Sequence, residues 1–141
     1  MKEYVIEIIS SLKNEYEEDK LEVTTMGNFT KHQDDYKISY NENSEGGMTG
    51  KTSLTVHGNR QITLVRTGGM ATRLILEKGQ RHLCHYDTGY GEMMVGVFTD
   101  RIDSSLSETG GELKFNYSVD INSEFSSNNE ISIKVKEAQH V

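Results

Sequence analysis

Leu113, Phe115, Tyr117, Val119 and Ile121 alternate with Lys114, Asn116, Ser118, Asp120 and Asn122. A period of two puts the first set on one face of a strand and the second on the other, so the segment predicts a strand with one buried and one wet face. The pattern recurs along the chain. Tyr4, Ile6 and Ile8 share a face in a strand over Glu3–Leu12, Leu21, Val23 and Phe29 in one over Lys20–Lys31, and Tyr36, Ile38 and Tyr40 in one over Tyr36–Asn41. Further strands are predicted over Gly50–His57, Arg60–Thr67, Ala71–Glu77, Arg81–Asp87, Glu92–Ile102, Glu112–Ser123 and Glu130–Lys136.

Turn-forming residues separate these runs. Gly58-Asn59, Gly68-Gly69, Lys78-Gly79-Gln80 and Thr88-Gly89-Tyr90-Gly91 read as hairpin turns, and Asn43 to Met48 as a loop. Ser126 to Asn129 reads as the turn before the last strand, and Lys13 to Asp19 as a charged connector with room for one helical turn. Gly27 suggests a bulge or bend in the second strand and Gly96 a bend in the eighth. Connections this short favour antiparallel neighbours in a meander. A long open sheet exposes its edges, and closure removes them. The expected fold is therefore all-β: one antiparallel, mostly up-and-down β-barrel of about 8–10 strands over residues 1–141, with an interior able to hold a small ligand.

Composition narrows the setting. A chain of 141 residues builds its own core as one domain. The single cysteine, Cys84, has no partner in the chain, and Met1 to Val5 shows no apolar secretion signal, so a reduced, cytoplasmic protein is expected. No run approaches the roughly 20 apolar residues of a membrane helix. The net charge is −7, and lysine and arginine are scattered, so neither nucleic acid nor an anionic membrane is expected as a partner. No feature sets an oligomeric state.

The order and spacing of four segments resemble a known group. Leu64-Val65-Arg66-Thr67-Gly68, Leu76-Glu77-Lys78-Gly79, Tyr86-Asp87-Thr88-Gly89-Tyr90-Gly91 and Gly110-Gly111-Glu112-Leu113 with Tyr117 are similar to the uncharacterised bacterial YwiB-like family, a domain-of-unknown-function group. The resemblance runs from about Tyr4 to Val135 and implies a calycin-like, lipocalin-type barrel. It implies no activity and no functional residues.

Candidate chemistry follows from alternation. Arg66 shares a face with Ile62 and Leu64, so it points inward if they do, where a guanidinium can pair with a ligand carboxylate. Arg73 and Arg81 are weaker versions of the same case. Tyr36, Tyr40, Tyr86, Phe98, Phe115 and Tyr117 are expected as core or pocket walls. His82 and Cys84 share a face, but a zinc site needs four converging ligands, with His57 or His32 supplied across strands, and the spacing offers no such set. A thiol nucleophile would need a base beside Cys84, which His85 on the opposite face does not provide. The glycine-rich turns lack the helix and lysine of a phosphate loop, so no cofactor is implied.

The leading expectation is non-catalytic binding of a small amphipathic or apolar molecule inside the barrel. Arg66 would be its anion partner, and Tyr86 and Tyr117 walls with polar tips. A filled barrel that binds a protein on its outer wall is the alternative. An enzyme would require the Arg, His, Tyr and Asp side chains of strands 5 to 7 to converge in one pocket.

Overall fold

The alternation is realised as ten strands: β1 (Tyr4–Lys13), β2 (Glu18–His32), β3 (Asp35–Asn43), β4 (Thr49–His57), β5 (Gln61–Thr67), β6 (Thr72–Glu77), β7 (Arg81–Asp87), β8 (Glu92–Ser104), β9 (Gly110–Ile121) and β10 (Glu124–Glu137). The computed structural model describes residues 3–43, 49–68, 71–87 and 92–138, and no helix occurs among them. The loop expected before Thr49 and the turns expected at Gly69 and at Thr88 to Gly91 lie outside the described residues. Each strand pairs antiparallel with its sequence neighbours, and β1 closes the ring on β10, so Tyr4 opposes Gly27 on one side and Glu137 on the other. The expected up-and-down barrel is thus present with ten strands.

Cross-strand partners share a face of the wall. Ile38, Leu54, Leu64 and Leu74 form one continuous inner row; Val56, Ile62 and Leu76 form the next. Side chains from the rest of the wall, among them Ile6, Val97, Ile102, Leu113, Phe115 and Ile133, meet them, and all six are sealed from solvent. Burying each such side chain contributes about 1.5–3 kcal/mol, so this apolar filling carries the fold.

Several local expectations are corrected. The ladder runs through Gly96 without a shift in register; the shift in β8 lies between Thr99 and Arg101, with Asp100 as the extra residue. This bulge reverses the alternation, so Val95 and Val97 face inward before it and Ile102 after it. No register shift occurs at Gly27 either. Glycine is required there because a Cβ would collide with the Ser39 carbonyl oxygen and Ile6 Cδ1. The Lys13 to Asp19 connector forms a tight turn, not a helical one: Asn14 N–H donates to the Glu17 carbonyl at 2.9 Å, and Asn14 Oδ1 accepts the Tyr16 and Glu17 N–H groups.

The last hairpin turns at Asn122 and Ser123, whose φ values are 53° and 67°, instead of at Ser126 to Asn129. Ser127, Asn128 and Asn129 pair with Val119, Ser118 and Tyr117. Their turn-like composition is overridden by the ladder that β9 offers. Leu21 lies on the inward phase of β2 and is still 62% exposed, because the far half of the β1–β2 hairpin leaves the packed core.

Candidate functional site

Next to the apolar rows runs a polar one. Tyr40 opposes Thr52, Thr52 opposes Arg66, Arg66 opposes Thr72, and Thr72 opposes Tyr86, so five adjacent strands place these side chains on the inner face in register. Tyr40, Thr52 and Thr72 are buried, whereas Tyr86 is exposed at the rim. The row therefore marks the mouth of the barrel above the Ile38–Leu54–Leu64–Leu74 layer.

Tyr117 reaches the same space from β9. It stacks on Phe115 with ring centroids 6.1 Å apart. Burial pushes its phenol up to about 12; the Arg66 charge pulls the other way, and the Tyr86 and Tyr40 phenols add to the rise. One cation and three phenols thus share one electrostatic environment at the mouth of the barrel. The Arg66 Nε is itself buried. Two neighbours in register, Thr52 beside Arg66 and Thr99 beside Tyr117, bury hydroxyls that have no hydrogen-bond partner among the described residues. A cluster so built offers a directed charge-assisted donor, phenolic donors and spare hydroxyls to an anionic or polar group, with apolar surface beneath.

Two open grooves on the outer face of the wall reach single residues of this cluster. Tyr40 lines one of about 300 Å³ with Met26, Gly27 and Lys51. Tyr117 lines another of about 430 Å³ with Phe98, Asp100, Asn116 and Asn128.

The three residues singled out from alternation, Arg66, Tyr86 and Tyr117, are brought together. Tyr40, Thr52 and Thr99 complete the group. Alternation alone put Tyr40 on an inner face, but only the cross-strand register shows that it stands in the same row as Arg66, with Thr52 between them.

Other candidates are placed elsewhere. Arg73 and Arg81 are exposed on the outer wall, and Arg81 is paired with Asp120. Phe98 is 39% exposed on the outer wall and is no part of the core. His85 is exposed, His82 Nε2 sits 2.8 Å from Glu77 Oε1, and His57 Nδ1 sits 3.0 Å from Asp35 Oδ1. The arginine, histidine and tyrosine side chains of β5 to β7 are therefore divided between the two faces, and the convergence an enzyme would need is not met by them. No three His, Cys, Asp or Glu side chains among the described residues converge as a metal site. Cys84 is buried, and its Sγ accepts the Ile75 N–H at 3.4 Å. Burial pushes this thiol up, opposed by that N–H, so it is held in the unreactive protonated form.

Fold and site together define a closed ten-stranded antiparallel barrel with a cation–phenol cluster at its mouth. The chain belongs to the family described as a domain of unknown function (DUF1934), whose model matches residues 6–133. It is similar in fold to the crystal structure of the ywiB protein from Bacillus subtilis, with a TM-score of 0.84 and 19% identity over 98% of this chain and 93% of that one. The family resemblance expected from the four segments is thereby met. No curated protein matches the chain.

Proposed function

We propose that this protein is a non-catalytic, calycin-like binder of a small amphipathic molecule whose anionic group is held at Arg66, with Tyr40, Tyr86 and Tyr117 around it. The observation that carries this reading is the grouping of one guanidinium with three phenols at the mouth of the barrel, where a polar row meets the apolar filling. The filling beneath is dense, so the apolar part of the ligand lies against the mouth and does not thread the barrel.

Anilinonaphthalene sulfonate, an anion on an apolar body, is the probe that tests it. Saturable binding to the native protein is expected, weakened by about tenfold or more in Arg66→Met, since a charge-assisted hydrogen bond is lost while most of the side-chain volume stays. The outer-wall control Arg81→Met should bind as the parent does. Unchanged affinity in folded Arg66→Met overturns the proposal.

One observation favours a second reading, in which a filled barrel docks a protein partner. Leu83, Met94 and Phe98 are exposed apolar side chains on the outer wall of β7 and β8, grouped around the Arg81 guanidinium, with Leu83 at 62% and Met94 at 46%. That reading predicts that Leu83→Ser with Phe98→Ser abolishes probe binding and Arg66→Met does not.

A further inference from the structure

We propose that the seam between β6 and β7 is the gate of the barrel, a stretch of wall closed by side chains that opens while the rest stays folded. What passes through it rests on the ligand reading above; the opening itself does not.

The β6–β7 ladder carries Thr72↔Tyr86 and Arg73↔His85 and stops, although β6 continues to Glu77 and β7 begins at Arg81. Among the described residues every other ladder continues for six pairs or more. Beyond Arg73 the wall is completed in another way. The Ile75 N–H donates to Cys84 Sγ at 3.4 Å, and His82 Nε2 meets Glu77 Oε1 at 2.8 Å. Sulfur is a weak acceptor, and the His82–Glu77 contact is partly exposed. Gln80 N–H also donates to the Glu77 carbonyl at 3.0 Å and closes the turn, so opening the stretch above it breaks these side-chain contacts and the packing of Leu74 and Cys84, but no laddered run of backbone hydrogen bonds.

The flanks are anchored. β7 keeps its full ladder to β8, and Arg81 adds a tie to Asp120 on β9. β6 keeps its ladder to β5. The Lys78-Gly79-Gln80 connection is held from below: Lys78 N–H donates to the Arg60 carbonyl at 2.8 Å, Gly79 N–H to the Thr99 carbonyl at 2.7 Å, and Gln80 accepts from Thr99 N–H at 3.4 Å. Two firm sections of wall thus meet at one weak line. Behind that line lie Leu74, Leu76 and Cys84, all buried, and at its upper end stand Thr72 and Tyr86 of the polar row. Parting the seam exposes the interior at Leu74, Leu76 and Cys84, the layer immediately below Arg66.

Cys84 is the chain's single cysteine and reports the opening without any ligand. Its labelling by dithiobisnitrobenzoate is measured against urea and compared with global unfolding of the same protein. A gate gives labelling that is independent of urea at low concentration and about tenfold or more faster than global unfolding allows, as expected of local opening. Glu77→Ala should speed that labelling several-fold with little change in the urea midpoint. Labelling that follows global unfolding at every urea concentration overturns the proposal, as does a Glu77→Ala rate that rises only in step with lost global stability. Failure of the sulfonate probe to bind would sink the ligand reading and leave this result standing.

Discussion

Arg81 holds Asp120 across the full width of an intervening strand. The two residues lie on β7 and β9, and the guanidinium crosses the outer face of β8 at Gly96, donating from Nε to Oδ2 at 2.9 Å and from a terminal nitrogen to Oδ1 at 2.6 Å. A Cβ on Gly96 would occupy the place of the guanidinium. Three residues on three strands therefore form one unit, in which the absence of a side chain permits a bidentate ion pair.

Gly96→Ala and Arg81→Ala should accordingly lose the same interaction. Each is expected to lower the urea midpoint, and the double variant should fall well short of the sum, a non-additivity read from equilibrium denaturation. The hydrogen bond from Arg81 holds the Asp120 carboxyl below the usual carboxylate range. A carboxylate depressed in the folded state stabilises above its unfolded value, and that contribution is lost as pH falls through the folded one. Asp120→Asn should therefore flatten the acid limb of the stability–pH curve, and an unchanged limb would contradict this account.

Phe115 and Phe98 look alike in an alternating sequence but differ in place. Phe115 is fully buried and stacked on Tyr117, whereas Phe98 lies half-exposed on the outer wall. Phe115→Ala should cost about 3–5 kcal/mol through lost burial and the cavity it leaves. Phe98→Ala should cost about 1 kcal/mol or less. Paired denaturant titrations decide it: comparable losses would mean that β8 is in the wrong phase.

Tyr117 should ionise late. Its phenol is raised from 10.0 to about 12, principally by burial, so the fold favours the protonated form. Stability from this group is present below pH 10 and is lost as pH climbs towards 12. An alkaline titration followed by tyrosinate absorbance should show a late component among the seven tyrosines, and Tyr117→Phe should remove it. Persistence of that component in the variant would place Tyr117 outside the buried cluster.

The strands of this barrel are readable where alternation is clean. β9 declares Leu113, Phe115 and Tyr117 as one face, and β5 declares Ile62, Leu64 and Arg66, so an inward arginine and an inward tyrosine follow from local pattern. β7 resists the same reading. Leu83 on one phase and Cys84 on the other make both faces plausible, and the structure chooses Cys84, whose partner Val95 on β8 is an inner residue. β8 resists because one extra residue at Asp100 reverses its phase, which no periodicity sum detects. The β10 start was hidden because Ser126-Ser127-Asn128-Asn129 has turn chemistry but a strand's place in the ladder.

Local pattern is enough to make the chain a series of one-faced strands joined by short turns, because the period of two is a property of the local backbone. It also determined that Arg66 and Tyr117 each belong to an inner face. That Arg66, Tyr40, Tyr86 and Tyr117 gather at one mouth, that Arg81 turns outward to Asp120, and that the wall is weak between β6 and β7 emerges only when the strands pair. These depend on cross-strand register, which accumulates around the closed ring and is reset by each bulge and by the closure of β1 on β10.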